Sequence, residues 1–127
     1  MNCVATGVLT PKKGTYERLT TEDVLYGFYF KDDQGNNIIN PTDFTVSFRV
    51  ENRTKEVFCS RIGGGSPNNC KIMSDGLVVF FLSKNSFSDG LLMCKVVWDV
   101  PYAGFTPNDK ITSIGMFYTG IRYVNES

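Results

Sequence analysis

From Asp43 to Val50 the even positions Phe44, Val46, Phe48 and Val50 are apolar, and the odd positions Asp43, Thr45, Ser47 and Arg49 are polar. Successive side chains leave a strand on opposite faces, so such a segment buries one face and wets the other. The same period sets Val24, Tyr26, Phe28 and Phe30 apart from Gly27 and Lys31. It recurs in Leu92, Cys94, Val96, Trp98 and Val100, opposed by Lys95 and Asp99, and in Phe117, Thr119, Ile121 and Tyr123. No run has convincing helical spacing, and the one helical turn expected begins at Thr20-Thr21-Glu22-Asp23. Leu77-Val78-Val79-Phe80-Phe81-Leu82 is apolar on both faces, which predicts that its second face is covered by the amino-terminal segment or by another chain.

Turn chemistry separates these runs. Asp32-Asp33-Gln34-Gly35-Asn36-Asn37, Ser74-Asp75-Gly76 and Ser88-Asp89-Gly90 supply residues that tolerate positive φ. Gly63-Gly64-Gly65-Ser66-Pro67-Asn68-Asn69 reads as a flexible hairpin between two short strands, and Pro101 and Pro107 close the Trp98 strand. Short strands at this spacing predict an all-β antiparallel sandwich or barrel. The regular part spans residues 24–127, and residues 1–23 are expected to form an arm to a neighbour or a covering segment.

A chain of 127 residues fits one domain with a real core, and 42% hydrophobic against 20% charged residues is far from a disordered composition. Thirteen Lys and Arg balance thirteen Asp and Glu, with Lys12-Lys13 the densest basic pair, so nucleic-acid binding is not expected. No apolar stretch approaches the ~20 residues of a membrane helix, and Met1-Asn2-Cys3-Val4-Ala5 does not read as a signal peptide. No membrane partner is expected, and the protein is expected to stay in the cytosol in which it is made. The sequons at Asn52 and Asn125 are then chance matches.

The chemistry expected is sparse. Histidine is absent, which removes the commonest general base and the usual partner of a nucleophile, and the carboxylates lie mostly in turns. The chain reads as a binding protein without catalytic, cofactor-binding or metal-binding residues. Cys3, Cys59, Cys70 and Cys94 form no metal clip and are expected as reduced, packed thiols, with a Cys59–Cys70 disulfide across a hairpin as the alternative. Gly63 to Gly65 lacks the helix and lysine of a phosphate loop, and Asp32 to Asp43 has Asn37 where a calcium loop demands glycine. Trp98 follows every cysteine, so the Cys, Trp, Cys order of antibody-type domains is missing.

From about Tyr26 to Val124 the sequence resembles the small immunoglobulin-like β-sandwich domains in structural proteins of phages and prophages of gut Bacteroidales, including crAss-like phages. The resemblance is carried by Asp43-Phe44-Thr45-Val46-Ser47-Phe48, Cys59-Ser60-Arg61-Ile62-Gly63-Gly64, Asn69-Cys70 and Asp75-Gly76-Leu77-Val78-Val79-Phe80-Phe81. It continues through Asp89-Gly90-Leu91-Leu92-Met93-Cys94, Asp99-Val100-Pro101 and Thr119-Gly120-Ile121-Arg122-Tyr123-Val124. Met1 to Leu25 falls outside it, and Phe80-Phe81-Leu82 is more apolar than the corresponding strand of that group.

The resemblance implies an antiparallel immunoglobulin-like sandwich with an amino-terminal extension. It also implies a virion component, assembled in the bacterial host cytoplasm, that works by binding other virion proteins and copies of itself. An auxiliary capsid or head-fibre part is favoured over a tail or baseplate part. The contacts expected are Tyr16 in the amino-terminal segment, Phe80, Phe81 and Leu82, and Tyr118 and Tyr123 in the last strand. A carbohydrate-binding module is the reading from a different class, with Tyr102, Tyr118 and the loops Gly63 to Asn69 and Ser83 to Asp89 holding a glycan.

Overall fold

Alternation becomes a pair of facing sheets. The structure, a computed structural model, describes residues 2–6, 16–32, 34–101 and 110–126. Its strands are β1 (Asn2–Thr6), β2 (Tyr16–Leu19), β3 (Val24–Lys31), β4 (Phe44–Val50), β5 (Glu56–Arg61), β6 (Cys70–Ile72), β7 (Leu77–Leu82), β8 (Gly90–Pro101) and β9 (Lys110–Val124). One sheet has the order β1-β3-β7-β6 and the other β2-β9-β8-β4-β5. The architecture is all-β, and every strand pairing is antiparallel except β2 with β9, which is parallel.

The even residues Tyr26, Phe28 and Phe30 of β3, Phe44, Val46 and Phe48 of β4, and Cys94, Val96 and Trp98 of β8 all point between the sheets and are fully buried. Rings from the two sheets interlock there. Phe30 meets Trp98 at 4.7 Å and Phe44 at 4.8 Å between centroids, and Phe48 meets Phe80 at 5.4 Å. Each such pair adds about 0.5–1.5 kcal/mol to the area it buries. This cross-sheet aromatic layer fixes which face of every strand is the outer one.

Several expectations change. The possible helical turn at Thr20 to Asp23 is a non-helical turn, with the Glu22 amide donating to the Leu19 carbonyl at 3.1 Å, while the strand that follows agrees with the β-rich residues there. The amino-terminal segment enters both sheets, β1 at the edge of one and β2 at the edge of the other. Gly63 to Asn69 is more than a hairpin. A single bridge between Ser60 and Asn68 closes it, and the chain then crosses from β5 to β6 in the opposite sheet. The cysteine expectation stands: Cys59, Cys70 and Cys94 are free thiols, with no Cys59–Cys70 disulfide.

Turn and bulge chemistry locks the register. Gly76 has φ +94°, and a Cβ there would strike the Ile38 carbonyl oxygen, so this turn requires glycine. The β8–β9 pairing shifts between Leu91 and Met93, and Gly120 at φ 88° makes the kink. Inside it the buried Thr119 hydroxyl donates to the Leu92 carbonyl at 2.9 Å and accepts the Ile121 amide at 3.1 Å. Those bonds satisfy backbone groups that the irregular ladder would otherwise leave bare.

Candidate interaction surface

Outward side chains follow directly from register. On the five-stranded sheet, Val97 stands beside Ile114 on β9 and Thr45 on β4, with Ser60 beyond. The next outward row is Met116, Lys95, Ser47 and Phe58, and the one after it is Tyr118, Met93, Arg49 and Glu56. Ile114 is 65% exposed, Met116 58%, Tyr118 54% and Phe58 53%. These are the values of side chains standing on a surface, and they mark an outward block in which Ile114, Met116 and Tyr118 stand on β9 and Phe58 on β5, with Lys95 and Ser47 between them. A depression of about 230 Å³ sits in this block, lined by Ser47, Phe58, Lys95 and Met116 among others.

The block is bordered by charges of both signs. The Tyr118 hydroxyl donates to Glu51 Oε1 at 3.1 Å, and that bond raises the phenol above its ordinary pKa. Arg49 donates to the Arg53 carbonyl at 2.9 Å. The Lys95 and Glu56 side chains have no hydrogen bond or ion pair among the described residues.

A smaller apolar strip lies on the outer face of the four-stranded sheet. Leu25 and Phe81 are cross-strand partners, 40% and 46% exposed, and with Val79 and Met73 they line a groove of about 520 Å³. Near its end the Tyr29 hydroxyl donates to the Asp75 carboxylate, which ties the β6–β7 turn to β3. That bond, followed by the one from the Leu77 amide, holds the Asp75 carboxyl below its usual pKa.

The residues singled out from sequence separate into two groups. Phe81 and Tyr118 are exposed, and Tyr16 is half-buried with the Arg18 guanidinium over its ring at 5.5 Å. Phe80, Leu82 and Tyr123 are buried in this chain's own core and offer no surface to a neighbour. Period two explains the correction: Val78, Phe80 and Leu82 share the inner face of β7, leaving Phe81 outside. The outer face of Phe81 is therefore uncovered by the described residues.

Phe58, Ile114 and Met116 were missed, although parity carried a signal for them. Phe58 alternates in step with Glu56 and Ser60, and Ile114 and Met116 in step with Tyr118.

The structure does not bring together the two loops named for a glycan. Tyr102 lies outside the described residues. The Gly63 loop follows Arg61, at the end of the sheet where Phe44 pairs with Trp98, whereas the Ser83 loop precedes Gly90, beyond the Val50–Leu92 pair at the other end. Among the described residues, no three of Asp, Glu and Cys gather as metal ligands, and no helix is long and apolar enough to cross a membrane.

Burial pushes the Cys59 thiol up to about 12 and the Cys70 thiol up to about 11, so neither is an activated nucleophile. Comparison with protein-family models, with curated proteins and with solved structures finds no match.

Proposed function

We propose that this chain is an immunoglobulin-like assembly module and a structural component of a phage particle, in the head as an auxiliary or fibre protein. The observation that carries the assembly reading is the exposed block of Phe58, Ile114, Met116 and Tyr118 on a rigid sheet. A surface of this kind binds protein better than it performs chemistry, because it offers apolar area and rigidity without a converging acid and base.

Strand order supports the finer fold. An immunoglobulin sandwich sets its first, second, fifth and fourth strands (A-B-E-D) against G-F-C, with C′ added in variable-type domains. Here β1-β3-β7-β6 faces β9-β8-β4-β5, which matches that order strand for strand, and β2 joins the second sheet beside β9. Cys94 on β8 packs among the core aromatics of β3 and β4 where an antibody domain would have a disulfide and a tryptophan. The virion assignment rests on the resemblance of Tyr26 to Val124 to phage structural domains.

Quantitative mass spectrometry of purified particles tests it. A copy number comparable with the major capsid protein is the expected result. A small ring-like number would move the chain to the tail or baseplate. Absence from particles, with the protein abundant in infected cells, would end the virion reading.

A further inference from the structure

We infer that the free edge of β6 is a docking site for an extended acidic peptide segment of a partner protein, which adds to the sheet as a further strand. The inference goes beyond the assembly reading above and stands on a different surface.

Register defines the edge. The Phe81 amide donates to the Asn69 carbonyl at 3.1 Å and the Met73 amide to the Leu77 carbonyl at 2.8 Å. Asn69, Lys71 and Met73 therefore hold the hydrogen-bonded positions of the β6–β7 ladder. Cys70 and Ile72 turn their amides and carbonyls the other way, to the side where β6 has no neighbour in its sheet. Those backbone groups have no partner among the described residues. The nearby edge of β5 is closed by comparison. Ser60 exchanges bonds with Asn68 at 3.1 and 2.8 Å, and the Asn69 side-chain amide donates to the Phe58 carbonyl at 3.2 Å. Open donors and acceptors along an edge are a template for an extended chain.

Charge then gives the character of that chain. A cleft of about 550 Å³ adjoins the edge, lined by Asn40, Arg61, Cys70, Lys71, Ile72 and Met73 among others, and its lining holds two cations and no acid. Arg61 is fixed by its own chain. Its Nε donates to the Gly65 carbonyl at 3.0 Å, and its Nη1 to Asn40 Oδ1 at 2.6 Å and the Pro41 carbonyl at 3.1 Å. The Arg61 Nη2 and the Lys71 ammonium have no hydrogen bond or ion pair among the described residues. The acids closest along the chain are engaged elsewhere, Asp43 with the Gly63 amide and Asp75 with the Tyr29 hydroxyl. A guanidinium ordered in advance loses little freedom on meeting a carboxylate. Lys71 has the outward parity of Val79 and Arg61 the inward parity of Phe44, so the two faces of an added strand each have a cation on their side.

A second copy of β6 does not suit this edge. Pairing Cys70 with Ile72 in both directions sets Lys71 directly opposite Lys71 of the other copy, and like charges so placed destabilise a ladder.

The test is selection on the full chain from random heptapeptides, acetylated and amidated so that neither terminus is charged. Binders enriched in Asp or Glu are expected. The strongest should slow hydrogen exchange at the Cys70 and Ile72 amides, followed by NMR. Replacing its acids with Asn or Gln should weaken it about tenfold or more, as should Lys71→Glu. Lys71 is exposed, so this variant is read against an unchanged urea midpoint, and Met116→Lys on the other sheet should bind as before. Methylating the peptide's amides one at a time should abolish binding at two positions separated by a tolerant one, because alternate amides of an added strand face its neighbour. No binders, no enrichment of acids, indifference to Lys71→Glu, no protection of Cys70 and Ile72, or methylation losses without alternation would each overturn the inference. Copy number in particles is a separate readout: peptide binding by a chain absent from particles would leave this site standing and end the virion reading, and the converse would do the reverse.

Discussion

The Tyr26 hydroxyl is buried in the core with no hydrogen-bond partner, and burial drives its pKa upward. A hydroxyl kept from water without a bond is a standing cost, while the ring beneath it packs edge-on against Phe28 and Phe48. Tyr26→Phe keeps those ring contacts and removes the bare oxygen. We expect it to stabilise the fold by about 1 kcal/mol, read as a higher urea midpoint at unchanged slope. Burial of Tyr26 was legible from its alternation with Gly27. The missing partner was not, because no pattern along β3 reveals what the facing sheet offers an oxygen. Tyr123 repeats the lesson: its parity with Ile121 marked it as inward, yet its place near the chain end suggested a contact surface. The structure buries it against the Phe87 ring at 5.3 Å.

At the scale of elements, the bulge between β8 and β9 shows how a single side chain can stand in for a broken ladder. Thr119→Val preserves shape and deletes the hydroxyl that bonds the Leu92 carbonyl and the Ile121 amide. Two buried backbone groups are left bare, so a loss of about 2 kcal/mol is expected, with Thr119→Ser losing less; chemical denaturation of the two variants measures both. β4 was readable because a polar residue at every second position fixes the face, and in β3, β8 and the end of β9 a few markers, Lys31, Lys95, Asp99 and Arg122, fixed it. In β7 the six apolar residues offer no such marker, so period two gave the spacing and not the phase. Edge strands were harder still. The pairing of Tyr16–Leu19 with Ile121–Val124 joins segments a hundred residues apart, and nothing local in the sequence encodes it.

Across the whole molecule, buried acids that stay protonated set an alkaline limit. An unfolded cysteine thiol ionises from its ordinary value of 9.0 upward, and the folded Cys59 thiol only at about 12. Between those values the unfolded state holds fewer protons, so stability falls as pH rises. Cys70 acts in the same direction up to about 11, and the buried phenols of Tyr26 and Tyr123 add to it above 10.0. The contribution of these groups is fully present below pH 9, and the melting temperature is expected to decline steadily above it in a scan by calorimetry. The sheet edges carry a different consequence. β2 and β9 run parallel, and the bond from the Thr20 amide to the Val124 carbonyl at 3.0 Å and that from Thr21 to Glu126 at 2.9 Å extend their contact. A pull that draws the residues before Tyr16 away from those after Val124 slides these strands along each other. All of their cross-strand bonds are then loaded at once, in shear, instead of opening one after another like a zip. The fold thus carries a mechanical clamp between its second strand and its last.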